Sequence, residues 1–104
     1  MEIDPKPIAQ ALLDATHAAR GEIEMKVDVG DWPAAAVCGL VDHVLSKISD
    51  YRLRFRGIRV DPATFAKLGI QLNTQNSGDY KGVVVVISSR PEFDFIELVL
   101  RPVP

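Results

Sequence analysis

Residues 82–88 read Gly-Val-Val-Val-Val-Ile-Ser and contain five β-branched side chains in succession. Such side chains lose less rotamer freedom in an extended backbone than in a helix, so the run favours a β-strand. Turn-forming residues flank it, with Lys81 and Gly82 on one side and Ser-Ser-Arg-Pro at 88–91 on the other. We therefore predict a central strand that is buried on both faces, with the other elements packed around it.

The length and the charge balance limit what the rest of the chain can form. At 104 residues the chain fits one compact domain with a sizeable core. Its composition, 47% hydrophobic and 25% charged, is typical of a soluble globular protein. The net charge of −2 provides no overall attraction to nucleic acid or to an anionic membrane. Any such binding would have to be local.

The single cysteine, Cys38, excludes an internal disulfide and a multi-cysteine metal site, and it favours a reducing compartment. The amino-terminal residues lack a basic segment followed by an apolar one. No stretch reaches the roughly 18 apolar residues that a membrane-spanning helix needs. We therefore expect a cytoplasmic protein.

Three aspartates precede proline directly or after one residue, and each predicts the start of a helix: Asp4, Asp31 and Asp61. The first helix is expected over 5–20, before Gly21, and the second over 31–49, where the apolar residues form the clearest amphipathic stripe. A short third helix is expected over 61–68, before Gly69.

Period-two alternation predicts strands over 22–29 and from 51 onward to 60. The alternation changes phase after Gly57, which is what one extra residue would produce, so we predict a β-bulge there. A brief strand is expected at 70–72, followed by a polar loop at 73–79. The last strand, 93–101, is expected to pair with 82–88 as an antiparallel hairpin.

These elements predict a single α+β domain with a mixed four- to five-stranded sheet, in the order α-β-α-β-α-(β)-β-β. The strand, helix and strand between 22 and 60 favour a parallel crossover, and the closing hairpin adds an antiparallel pair. The two longer helices and the short one are expected mainly on one face, because the first two strands each keep a charged side. We place strand 82–88 between those two strands.

Arginines form the most conspicuous group of candidate binding residues: Arg52, Arg54 and Arg56 share one strand face, Arg59 lies beyond the bulge, and Arg90 lies in the turn after 82–88. Guanidinium groups bind phosphate and carboxylate oxygens, so this surface could bind nucleic acid or another polyanion. Alternatively, the arginines pair with the acidic residues of the first strand. The predicted strand order leaves the arginines partly unpaired.

The last strand is apolar on both faces and predicts self-association if it lies at a sheet edge, where unpaired backbone groups could recruit a second copy. The candidate residues are Phe93, Phe95, Glu97 and Val99.

No known catalytic, cofactor-binding or metal-binding spacing is present. Cys38 and His43 diverge on the second helix, and two histidines with one cysteine do not support a metal site. We interpret the chain as a small interaction or assembly module that associates with itself or with another protein. Polyanion binding through the arginines is the first alternative. A small enzyme, with a pocket near loop 73–79 and turn 88–90, is the second.

Overall fold

Helices and strands alternate along the chain before a final run of strands. The computed structural model describes residues 3–88 and 94–103. Within those residues it contains three helices and five strands: α1 Lys6–Ala19, β1 Ile23–Asp28, α2 Ala34–Lys47, β2 Leu53–Val60, α3 Pro62–Leu68, β3 Ser77–Tyr80, β4 Val83–Ile87 and β5 Phe95–Pro102. The predicted α+β class and element order are confirmed.

The strands form one mixed sheet in the order β1-β5-β2-β4-β3. β5 is antiparallel to both β1 and β2, so β1 and β2 run parallel to each other with β5 between them. β2 pairs with β4 in parallel, and β3 pairs with β4 in antiparallel orientation. The predicted parallel relation of the first two strands is therefore present, and one strand lies between them as predicted, although that strand is β5.

The helices cover one face of the sheet, as predicted. Ile58, Val85 and Leu98 point from the sheet into the core and are at most 2% exposed. The apolar stripe of α2 meets them through Leu40 and Val44, which are fully buried. No helix within the described residues is long and apolar enough to cross a membrane.

The predicted bulge in the second strand is confirmed. Phe55 lies opposite Leu100 and Gly57 opposite Val99, so Arg56 is the extra residue. The bulge reverses the alternation of the strand, which lets Phe55 and Ile58 both face the helices.

The predicted helix ends are confirmed for α3. Asp61 accepts hydrogen bonds from the backbone N–H groups of Ala63 and Thr64, and Gly69 ends the helix with φ 69°. The expected cap from Asp31 is wrong, because α2 begins after Pro33 and no side chain caps it.

The ends of α1 also differ from the prediction. Asp4 accepts a hydrogen bond from the backbone N–H of Lys6, although Pro5 holds the cap position. The residue that ends α1 in the left-handed conformation is Arg20, with φ 55°, rather than Gly21.

The prediction that strand 82–88 is central and buried on both faces is wrong. β4 lies next to the edge strand β3, and Val84 and Val86 are 55% and 37% exposed on the face opposite the helices. β-branching favours extended backbone but does not determine which face is covered. The position between β1 and β2 is taken instead by β5.

The closing hairpin is also placed differently from the prediction. β4 pairs with β3 rather than with β5. The turn is made by Lys81 and Gly82, both with positive φ, and Asp79 accepts a hydrogen bond from the N–H of Gly82 at 2.8 Å. Part of the expected 73–79 loop is therefore strand, and the expected strand at 70–72 is reduced to one bridge between Leu72 and Gly78.

Two strand glycines allow a direct test of this packing. A Cβ added at Gly78 would lie 2.6 Å from the backbone oxygen of Gln71 and 3.0 Å from the Phe65 ring. We expect Gly78→Ala to lower the free energy of unfolding by about 1–3 kcal/mol, because the neighbouring backbone must move. A Cβ at Gly57 would meet its nearest atom at 3.9 Å, so Gly57→Ala should change stability little. Urea denaturation of both variants measures the difference, and equal losses would contradict this packing.

Candidate functional site

The face of the sheet opposite the helices carries most of the candidate residues. Its centre is a shallow depression of about 260 Å³ above Gly57. Val86 and Val99 form the apolar part of its wall, and Arg56 and Arg59 form part of the charged rim. This open face is therefore a charged surface with a small apolar centre.

Two of the predicted arginines are paired with carboxylates. The guanidinium group of Arg56 lies 3.1 Å from the Glu22 carboxylate, and that of Arg59 lies 3.5 Å from Glu97 on β5. Glu22 precedes β1, so the Arg56 side chain reaches across the width of β5. The expectation that an intervening strand leaves the arginines without acidic partners is therefore wrong for Arg56.

Arg54 has a different environment. Its register partner on β5 is Arg101, and like charges directly opposite each other destabilise a sheet. Arg52 lies in the turn before β2 with φ 56° and does not extend the row of arginines on the open face. Neither Arg52 nor Arg54 forms an ion pair within residues 3–88 and 94–103. Arg90 lies outside the described residues.

The predicted self-association strand does not lie at an edge. β5 is paired along its length with β1 on one side and β2 on the other, so its backbone cannot accept a third strand. Phe95 is buried, Glu97 is paired with Arg59, and Val99 faces the open-face depression. Phe93 lies outside the described residues. Edge pairing through this strand is therefore excluded.

The edges of the sheet are formed by other strands. Among the described residues, β1 pairs only with β5, and β3 pairs only with β4. The backbone N–H of Val29 donates to the carbonyl of Asp94 at the end of the β1–β5 ladder. Every second residue of a strand directs its backbone N–H and C=O groups to the same side. Met25 lies four residues before Val29, so its backbone groups also point toward β5. The backbone groups of Glu24 and Lys26 therefore point toward the outer edge.

A buried carboxylate connects the ends of β2 and β5. Asp61 is 1% exposed and accepts hydrogen bonds from the Thr64 hydroxyl and from the backbone N–H of Phe95, the latter at 2.8 Å. Burial would raise the pKa of Asp61, but the hydrogen bonds from Thr64 and Phe95 outweigh it and lower this pKa. The negative charge of Asp61 in turn raises the pKa of neighbouring Asp94. The sequence pattern predicted the helix cap but not the bond to β5.

The loop proposed for an enzyme pocket lies beside the end of β4, whereas residues 89 and 90 of the proposed turn lie outside the described residues. Ile87 donates its backbone N–H to the carbonyl of Asn76, and Ser88 donates to the carbonyl of Val60. The open-face depression is lined by neither loop 73–79 nor Ser88.

A polar contact that the sequence pattern did not reveal holds the β3–β4 hairpin to α2. Asp42 accepts hydrogen bonds from the Tyr80 hydroxyl at 2.8 Å and from the Lys81 ammonium at 2.9 Å. Burial, with the hydrogen bond to Asp42, raises the pKa of Tyr80 above its ordinary value.

The Cys38 thiol, also on α2, donates a hydrogen bond to the backbone carbonyl of Lys67 rather than to His43. The contacts of Asp42 and Cys38 join the hairpin and α3 to α2.

No protein-family model, no curated protein and no solved structure matches this chain. Its function is therefore inferred from the geometry of the described residues.

The two environments of the β2 arginines predict opposite responses to the same substitution. Arg54→Thr removes a repulsive pair and introduces a residue suited to an exposed strand, so it should raise the free energy of unfolding by about 0.5 kcal/mol. Arg59→Thr removes the pair with Glu97 and should lower it by a similar amount. Thermal or urea denaturation at low salt measures both. A loss of stability in both variants would contradict the assignment of Arg54 to a repulsive pair with Arg101.

The carboxylate of Asp61 predicts an acid-sensitive contribution to stability. Asp61→Asn should lower the free energy of unfolding by about 2–3 kcal/mol, because an amide cannot accept all of these hydrogen bonds. The folded-state pKa is lowered, so this contribution is complete above roughly pH 4 and is lost as the pH falls through the lowered value. Asp94→Asn should instead stabilise the protein at neutral pH, since the charge of Asp61 disfavours an ionised Asp94. Denaturation curves at neutral and acidic pH distinguish the two variants.

Proposed function

We propose that the protein is a small assembly module that forms a homodimer through the outer edge of β1. The observation that carries the proposal is an edge strand whose outward residues are complementary to themselves. β1 lies at the end of the sheet, and its exposed residues alternate with half-buried apolar ones. A second copy is the simplest occupant of such an edge, because a twofold axis pairs the outer edge of β1 in both copies at once.

Charge favours one register for this pairing over the two adjacent ones. The outward backbone groups belong to even-numbered residues, so even residues must pair with even residues in an antiparallel dimer. With Met25 opposite Met25 of the second copy, Glu24 faces Lys26, and the same pair occurs twice. A shift in one direction places Lys26 opposite Lys26, and a shift in the other places Glu24 opposite Glu24. Compared with these two shifted registers, the register centred on Met25 has opposite charges on both sides of the axis and no pair of like charges on the axis itself.

The apolar face supports the same register. Ile23, Met25 and Val27 face the helices and are only partly buried in the single chain. In this dimer Ile23 would pack against Val27 of the second copy, and the two Met25 side chains would meet. Pairing therefore removes additional apolar surface from water without uncovering any of the core.

The ends of the strand have internal partners for their charges. The register centred on Met25 places Glu22 opposite Asp28 of the second copy. The Glu22 carboxylate is bonded to Arg56, and that of Asp28 accepts the backbone N–H of Gly30 at 3.1 Å. These contacts reduce the repulsion at the two ends of the ladder.

Charge reversal tests the register in solution. Glu24→Lys places two lysines opposite each other at both symmetric positions, so it should weaken dimerisation about tenfold or more. Lys26→Glu should have a similar effect, although it also removes the ammonium group that lies 4.5 Å from the Phe95 ring centre. The double variant E24K/K26E restores opposite charges in reversed order and should recover the dimer. Analytical ultracentrifugation across the micromolar range measures each dissociation constant.

A charge reversal outside β1 serves as the control for the dimerisation experiment. Lys47→Glu, in the last turn of α2, reverses a charge outside β1 and should leave dimerisation unchanged. A wild-type protein that stays monomeric at high micromolar concentration would overturn the proposal. A dimer that responds equally to Lys47→Glu and Glu24→Lys would place the interface elsewhere.

A further inference from the structure

A second surface, which shares no residue with the proposed dimer ladder, lies at the end of the molecule where α1 stops and β2 begins. It is a cavity of about 220 Å³ whose wall includes His17, Arg20, Tyr51 and Arg52. None of its described lining residues carries a carboxylate. Two arginines and a histidine therefore line this cavity, and none of the lining residues within 3–88 and 94–103 is acidic.

The two arginines occupy unusual backbone conformations. Arg20 has φ 55° and Arg52 has φ 56°, in the left-handed region that glycine adopts at lowest cost. Hydrogen bonds hold both segments in place: the N–H of Arg20 donates to the carbonyl of Thr16, and the carbonyl of Arg52 accepts the N–H of Val103. Arginine thus stands at two positions where the backbone alone would favour glycine, and both positions border the same cavity.

Asp14, which contacts Tyr51 of the cavity wall, already has partners. Asp14 accepts hydrogen bonds from the Tyr51 hydroxyl at 3.1 Å and from the Gln10 amide at 3.0 Å. The ring of Tyr51 also lies edge-on to His17, with 5.8 Å between the ring centres. Within residues 3–88 and 94–103, no ion pair forms at Arg20 or Arg52. Among the described residues, both guanidinium groups are therefore without an acidic partner.

We propose that this cavity binds the phosphoryl group of a small anionic ligand. The planar donors of Arg20 and Arg52 suit tetrahedral oxyanions, to which each can donate two hydrogen bonds. His17 supplies a third donor through a ring N–H group. The site is distinct from the arginines of the open face, because Arg56 and Arg59 are already bonded to Glu22 and Glu97.

The test uses inorganic phosphate as the probe and amide chemical shifts of the isotope-labelled protein as the readout. Phosphate at constant ionic strength should shift the amides around His17, Arg20 and Arg52 in a saturable way. Acetate, which carries one charge and fewer acceptor oxygens, should bind several-fold more weakly. Arg59→Gln serves as the matched control, because that guanidinium belongs to an ion pair on the open face.

Glycine variants separate binding from folding. Arg20→Gly and Arg52→Gly suit the left-handed backbone, so both should melt at or above the wild-type temperature. Each should nevertheless weaken phosphate binding about tenfold or more, because a charged hydrogen-bond donor is lost. Arg59→Gln should leave the affinity unchanged.

Three results would overturn the proposal. The first is an absence of saturable shifts with phosphate in the wild-type protein. The second is unchanged phosphate affinity in both glycine variants. The third is phosphate or single-stranded oligonucleotide binding that is lost with Arg54→Thr but kept with Arg52→Gly, which would move the anion site to the open face beside Arg101.

Discussion

The structure depends on β5 being hydrogen-bonded along both of its edges. Its pairing with β1 and β2 places a largely apolar strand between these two parallel strands. The side chains of Ile96, Leu98 and Leu100 fill the space beneath the helices and are fully buried. By pairing with both strands, β5 leaves β1 at one edge of the sheet, opposite the edge formed by β3. The proposed interface follows from this position of β1.

Asp61 fixes the position at which β5 enters the sheet. Its carboxylate caps α3 and accepts the N–H of Phe95, so one side chain joins a helix start to a strand start. Burying a carboxylate is costly unless several donors satisfy it, and here the donors outweigh the cost, as its lowered pKa indicates. The same carboxylate thus serves local helix capping and sheet assembly.

Much of the local structure could be predicted from the sequence. The phase change after Gly57 located the bulge, and the Asp61-Pro62 pair located the start of α3. These features depend on neighbouring residues, so a local pattern is sufficient to define them. Strand order depends instead on which distant segments pair, and the valines of 83–86 are compatible with both an inner and an outer position.

A signal for the correct order was nevertheless present. Residues 95–100 carry apolar side chains on both faces, with Glu97 as the sole charged residue. The side chains of Val84 and Val86, by contrast, are exposed in the structure. The arginine partners could not be predicted, because Arg56 reaches Glu22 across a whole strand. The unusual conformations of Arg20 and Arg52 had no sequence signature either, since arginine gives no indication of positive φ.

The central claim, that β1 pairs with itself around Met25, is tested most directly by register-specific crosslinking. In an antiparallel pair the non-hydrogen-bonded positions bring Cα atoms to about 4.5 Å, which suits a disulfide. In a Cys38→Ser background, Met25→Cys should form a disulfide-linked dimer under mild oxidation. Ile23→Cys should not, because the two copies of residue 23 would lie about 13 Å apart along the ladder. Equal crosslinking of both variants, or none with Met25→Cys, would contradict this register.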